Sequence, residues 1–213
     1  MTRSLLVALA LLLAVPALSA KAPHPALLDP SLATEQAPET YTVKIKTTKG
    51  VMLLDVTRAW APQAADRFWN LVRIGYYEDA SIFRVIVRFV AQFGVHGDPA
   101  VAAAWQNANL PDDPPTQTNA KGTVTFAMAG PNTRTTQVFV NLWDNTRLDG
   151  MGFAPFGKLR DMKTAEKLHV GYGEGAPAGR GPDQARLIAE GNAYIDADFP
   201  ELDSIKWMRI VAP

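Results

Sequence analysis

A guanidinium set among apolar neighbours is the most chemically suggestive feature of this sequence. Residues 82–94 read IFRVIVRFVAQFG, an apolar, β-branched and aromatic run interrupted by Arg84, Arg88 and Gln92. Such a run forms strands buried on one or both faces. Arginine keeps its charge and is costly to bury unpaired, so Arg84, flanked by Ile82 and Ile86 on its own strand face, needs a reason. Two are open. One is a salt bridge to an acidic neighbour, with the stem lying on apolar surface; the other is a fixed cationic donor in the floor of an apolar groove.

Other chemistries find little support. The chain has no cysteine and three histidines in 213 residues, which removes thiol chemistry, disulfides and lipid-modified cysteine. His96-Gly97-Asp98 resembles a metal pair but has no companion ligand at a recognised spacing, so it reads as a turn. Nothing recommends a Ser-His-Asp arrangement, since His24 lies in a proline-rich lead-in and His169 follows a helical segment. The stretch 171–182, GYGEGAPAGRGP, lacks the lysine-serine ending and preceding strand of a phosphate loop and reads as a flexible surface loop. Basic and acidic residues balance at 21 each, which argues against nucleic acid or an anionic membrane as partner.

The elements that must position Arg84 follow from periodicity. Residues 1–20 carry Arg3, an apolar run from Leu5 to Val15, Pro16 and small residues, the layout of a cleavable secretory signal. The run is short for a membrane span. Residues 21–40 hold four prolines without periodicity and read as an extended or mobile lead-in. One domain is expected over 41–213. Tyr41 to Thr47 alternates with Tyr41, Val43 and Ile45 on one face, turns at Thr48-Lys49-Gly50 and returns as Val51 to Val56, a hairpin whose apolar face demands a sandwich or barrel. A helix opening at Ala61-Pro62 places Ala64, Ala65, Phe68, Leu71 and Val72 on one face and ends near Gly75. The run 82–94 splits into two strands around Val87-Arg88. Residues 95–120 are rich in Pro, Asn and Asp and read as a surface excursion. Short strands follow at Thr123–Ala127 and Gln137–Asn141, with another beginning at Phe156. Met162 to Leu168 reads as a second covering helix, Asp183 to Ala197 as a further helix weakened at Gly191, and Ile205 to Val211 as the last strand.

Three blocks together resemble one family. The first is Ile82, Arg84, Ile86, Phe89, Val90, Gln92 and Gly94; the second is Phe126 to Val140, FAMAGPNTRTTQVFV; the third is Leu148-Asp149-Gly150 followed by Phe156-Gly157-Lys158. In this order they resemble the cyclophilin family of peptidyl-prolyl cis-trans isomerases. The resemblance implies a mainly β fold, a closed eight-stranded antiparallel barrel capped by two helices, here with an additional C-terminal helix. It places Arg84 on the family's catalytic arginine, Phe89, Val90, Phe139 and Leu148 on its proline pocket, and Gln92, Ala127, Met128 and Gln137 along its peptide groove. Phe153 is the candidate for the position of a histidine near the pocket that this chain lacks. Val90 stands where the family usually has methionine, Phe93 replaces a glycine, and Arg147 stands where a tryptophan linked to cyclosporin binding is often found.

The activity so implied needs no cofactor, acid, base or nucleophile. Arg84, Phe89, Gln92 and Phe139 form the catalytic set, and the partners are proline-containing polypeptides. A monomer is expected, with no nucleic acid and no membrane once the signal is removed. With the leader, the expected setting is periplasmic or secreted, acting on exported proteins. The competing reading is a non-catalytic module that captures proline-containing segments. On the catalytic reading Arg84 requires no ion-pair partner.

Overall fold

The computed structural model describes residues 22–212, so the leader-like residues 1–20 lie outside the described residues. Strands β1 (Thr40–Thr47) and β2 (Gly50–Thr57) form the expected hairpin, with Tyr41 opposite Val56 and Thr47 opposite Gly50. Alternation then decides the rest. Tyr41, Val43 and Ile45 are buried on one side, and the same face of β2 buries Met52, Leu54 and Val56. The sheet is completed by β3 (Arg84–Val85), β4 (Val90–Phe93), β5 (Thr123–Phe126), β6 (Val138–Asn141), β7 (Pro155–Leu159) and β8 (Ile205–Ala212). Its order is β3-β4-β6-β5-β7-β2-β1-β8, and every paired neighbour runs antiparallel.

The expected closed barrel is corrected to a curled half-barrel. Strands β3 and β8 are the two edges, and no ladder joins them. The ends meet through a single bridge between Ser81 and Ser204, with Ile82 N–H donating to the Asp203 carbonyl at 2.8 Å and Ile205 N–H to that of Ala80 at 2.9 Å. The physical reason is the brevity of β3. The chain turns at Asp79 (φ 54°) before it and at Arg88 (φ 57°) after it, leaving two residues of strand where a closing ladder would need more.

Helix α1 (Pro62–Arg73) covers the concave face with the residues its periodicity selects; Ala64, Ala65, Phe68, Leu71 and Val72 are buried. Phe68 meets Phe156 with ring centroids 5.0 Å apart. Ala61 has no side chain able to cap this helix. The cap comes instead from Asp113, whose carboxylate accepts the Gln63 and Ala64 N–H groups at 2.9 and 3.0 Å.

Four expectations change. The lead-in is docked rather than mobile: Trp105 Nε1 donates to the carbonyls of Ala26 and Leu27, and Asn70 exchanges hydrogen bonds with the Glu35 backbone. Its prolines start two 3-10 turns, Pro25–Leu27 and Pro30–Leu32, instead of leaving it extended. The excursion 95–120 contains helix α2 (Pro99–Trp105), capped by Asp98 and burying Val101, Ala102 and Trp105. The second covering helix reduces to a 3-10 turn at Ala165–Lys167. The C-terminal helix is broken at Gly191 (φ 63°) into α3 (Gln184–Glu190) and α4 (Asn192–Asp198). These two helices pack with Val95, Ala102 and Phe83 in a satellite core separate from the main one. Phe83 is the residue before Arg84.

Among the described residues no helix is long and apolar enough to cross a membrane.

Candidate active site

The outer face of β4 and β6 carries a small apolar cluster of its own. Ala91, Phe93, Val138 and Val140 point into the main core. Their alternates Val90 and Phe139 therefore face the other way, and with Leu148 they form a separate buried cluster against which Phe89, Ala127 and Phe153 pack. Phe139 and Phe153 meet edge to face, centroids 5.7 Å apart. The four residues expected to line the proline pocket are brought together with Phe153, the candidate beside it, and with Ala127, expected along the groove.

Leu148 and Phe153 come from a 3-10 turn, Thr146–Met151, and the residues just after it. A polar network beneath holds that turn in place. Asn119, fully buried, donates its backbone N–H and its side-chain amide to Asp149 Oδ1, both at 2.8 Å, and the same amide donates to the Phe153 carbonyl at 2.9 Å. Its Oδ1 accepts from the Thr125 hydroxyl at 2.9 Å and from Asn141 Nδ2 at 3.2 Å. Asn145 Nδ2 then reaches the Phe89 carbonyl at 2.9 Å, tying the far wall of the cluster to the same network.

A row of polar side chains crosses the sheet beside this cluster. Arg84 lies opposite Gln92 in the β3–β4 ladder, and its Nη1 donates to Gln92 Oε1 at 3.0 Å. Gln92 Nε2 donates in turn to Gln137 Oε1 at 2.8 Å. Gln137 accepts the Ala127 N–H on its backbone carbonyl at 2.9 Å, so the groove-edge residues are linked through both backbone and side chain. The Arg84 guanidinium carbon stands 5.4 Å from the Phe89 ring centroid, within cation–π range. Met128 is half-buried at the end of this row, with its Cε near Gly152.

The row has one further member. Glu174 accepts from Arg84 Nε at 2.6 Å and from Nη2 at 2.7 Å, a bidentate pair. Arg84 thus has the acidic neighbour of the first reading, a partner that the catalytic reading did not require. The acidic partner and the groove-facing position occur together, because a five-donor fork can serve more than one neighbour. The pair is only partly screened from water, with 18% of the Arg84 side chain and 38% of that of Glu174 exposed. Hydrogen bonding to Arg84 holds the Glu174 carboxyl below the usual glutamate range, outweighing partial burial, which acts in the opposite direction; the Gly175 N–H assists.

Two further arginines stand over aromatic rings: Arg147, one of the departures, and Arg88. Arg147 is exposed and lies over the outer side of Phe89, 4.8 Å from its centroid. Arg88 lies over Trp143 at 4.4 Å.

The comparisons with known proteins agree with this arrangement. The family model described as "Cyclophilin type peptidyl-prolyl cis-trans isomerase/CLD" matches residues 42–182. The chain belongs to the cyclophilin family. A Gibberella zeae peptidyl-prolyl cis-trans isomerase-like 1 is 32% identical over 136 residues, 61% of this chain and 82% of that protein. A Helicobacter pylori peptidyl-prolyl cis-trans isomerase is 33% identical over 141 residues, 64% of this chain and 82% of that protein. In fold, a Cryptosporidium parvum cyclophilin type peptidyl-prolyl cis-trans isomerase superposes with a TM-score of 0.60 at 21% identity, covering 82% of this chain and 99% of that one. The same parasite protein was also crystallised in the presence of the dipeptide Ala-Pro, again with a TM-score of 0.60. This protein is accordingly a cyclophilin-type peptidyl-prolyl cis-trans isomerase.

Sequence reasoning missed two residues that this cyclophilin uses to build the region. Asn119 sits in the stretch read as a surface excursion, and no local pattern marks it. Glu174 sits in the loop read as flexible; a lone acidic residue between glycines was the available signal.

Proposed function

We propose that this cyclophilin isomerises X-Pro bonds of proline-containing polypeptides with the proline ring held against Val90, Phe139, Leu148, Phe89 and Phe153. The observation that carries this reading is the placement of Arg84. Its guanidinium stands at the edge of the only apolar cluster on that face of β4 and β6 among the described residues, fixed by Gln92.

Amide resonance sets a rotation barrier of about 18–20 kcal/mol. Before proline the two planar forms differ by roughly 0.5–1 kcal/mol, yet exchange takes tens of seconds or more. The enzyme must therefore bind the twisted bond better than either planar form. Twisting returns the lone pair to the prolyl nitrogen, where a fixed guanidinium donor stabilises it. Phe89 and its neighbours exclude water and strengthen that effect. Gln92, Gln137 and the backbone around Ala127 and Met128 hold the flanking chain so that rotation is confined to one bond.

The exported setting is part of the same proposal. The signal-like residues 1–20 and the absence of cysteine suit a bacterial-type periplasmic or secreted folding factor that acts as a monomer on exported clients. The Ala-Pro dipeptide used with the parasite structure supports a proline peptide as substrate. The test is isomerisation of short X-Pro peptides by the parent and by Phe139→Ala. The parent should be active, and the variant should raise KM more than it lowers kcat. An inactive parent that still binds proline peptides would replace isomerisation with capture.

A further inference from the structure

The glycine-rich loop between β7 and α3 is not accounted for by the pocket, and it is not slack. Its backbone folds around Glu174: Gly181 N–H donates to the Glu174 carbonyl at 2.7 Å, Ala176 N–H to that of Gly181 at 3.1 Å, and Gly179 N–H to that of Gly175 at 3.0 Å. The glycines are required by close approach. A Cβ on Gly179 would lie 2.3 Å from the Glu174 carbonyl oxygen, and one on Gly181 would lie 2.8 Å from the same atom. Both ends of the loop are fastened to the C-terminal helices. Tyr172 packs edge to face on Phe199 at 5.0 Å, and the Tyr194 hydroxyl accepts the Asp183 N–H at 3.0 Å. Those helices bury Phe83, so the loop and Arg84 are referred to one satellite core.

We propose that Glu174 is a positioning residue for isomerisation, and that the glycine-rich loop exists to hold it against Arg84. This rests on the assignment of Arg84 above. Donor accounting gives the reason. A guanidinium has five N–H bonds. Glu174 takes the Nε–H and one on Nη2, and Gln92 takes one on Nη1, which leaves one N–H on each terminal nitrogen. Strand β3 is an edge, so Gln92 grips the arginine from the neighbouring strand while Glu174 grips it from beyond the sheet. Clamped on both sides, the fork presents its two remaining donors in one orientation. An unclamped arginine on an edge strand would have to lose its rotamer freedom during each turnover.

The experiment compares Glu174→Ala, Glu174→Gln and Gly179→Ala with the parent in isomerase kinetics, and follows the Arg84 Nε–H signal by NMR. Glu174→Ala should lower kcat by about tenfold or more while KM stays within about threefold, the signature of a mis-set donor rather than a lost contact. Glu174→Gln keeps one acceptor oxygen and should recover part of the loss. Gly179→Ala, which changes no group in contact with Arg84, should resemble Glu174→Ala. The parent's Nε–H signal should be sharp and protected from exchange, and it should broaden or vanish in Glu174→Ala. Unchanged or raised turnover in folded Glu174→Ala would overturn the proposal, a rise showing that the carboxylate merely covers the arginine. If the parent itself does not isomerise, the assignment of Arg84 fails separately. In that event an unaltered Nε–H signal in Glu174→Ala would still defeat the clamp.

Discussion

Replacing Asn119 with alanine should loosen the proposed proline pocket from beneath. The side chain is fully buried and makes its bonds to Asp149, Phe153, Thr125 and Asn141. In the variant Asp149 keeps the Asn119 backbone N–H, and Asn141 Nδ2 keeps Thr123. The Thr125 hydroxyl, also fully buried, and the Phe153 carbonyl are left without those partners. The buried Thr125 hydroxyl costs about 1–3 kcal/mol and the carbonyl of half-buried Phe153 about 1 kcal/mol, so a total of about 2–4 kcal/mol is expected. For a chain of this size about 1 kcal/mol shifts Tm by roughly 2–4 °C, which predicts a fall of about 4–16 °C. Because Leu148 and Phe153 hang from the same turn, KM for an X-Pro peptide should rise about fivefold while kcat changes less. Calorimetry and steady-state kinetics on one preparation measure both. A variant that melts within about 2 °C of the parent and binds peptide equally well would refute this account of the turn.

Three further outcomes are expected. Glu174 has a depressed carboxyl pKa in the folded protein, so its contribution to stability is complete above the ordinary glutamate value of about 4.3 and is lost as pH falls below it through the folded value. Thermal melts of the parent and Glu174→Gln should therefore differ at neutral pH and converge in acid; a gap that widens on acidification would contradict the pairing. Arg147→Trp should tighten inhibition by cyclosporin, and strong inhibition of the unmodified protein would show that the Leu148 region has been misassigned. Mass measurement of protein exported from a Gram-negative host should find a start near Ala20 or Lys21, and full-length protein held in the cytoplasm would contradict export.

Family resemblance, not periodicity, set Val90 and Phe139 at the pocket, and in the structure they lie on the face opposite Phe93 and Val140. Local composition marked 82–94 as buried strand and Arg84 as out of place within it. The helical period of 62–73 likewise named its buried face. What the sequence concealed depends on partners far apart in the chain. Asp113 caps a helix that begins about fifty residues earlier, and Glu174 pairs with an arginine ninety residues before it. Proline density made 21–40 look mobile, yet a buried Trp105 supplies the donor that docks it. Glycine density made 171–182 look flexible, whereas there the missing Cβ atoms permit tight packing. Barrel closure depended on how soon β3 turns, which composition does not reveal.

The central claim is that Arg84 stabilises the twisted bond, and kcat/KM of Arg84→Ala on an X-Pro peptide, set beside its melting temperature, tests it most directly. Its ion pair with Glu174 is partly exposed, and the freed carboxylate can return to water, so removing the arginine should cost only about 1 kcal/mol and a few degrees of Tm. Arg84→Lys keeps the charge but not the planar fork and should rescue little. The account predicts a folded variant that binds peptide within a few-fold of the parent and loses about a hundredfold or more in kcat/KM. A folded Arg84→Ala with full activity, or one whose melting collapses as if a buried structural pair had been broken, would contradict it.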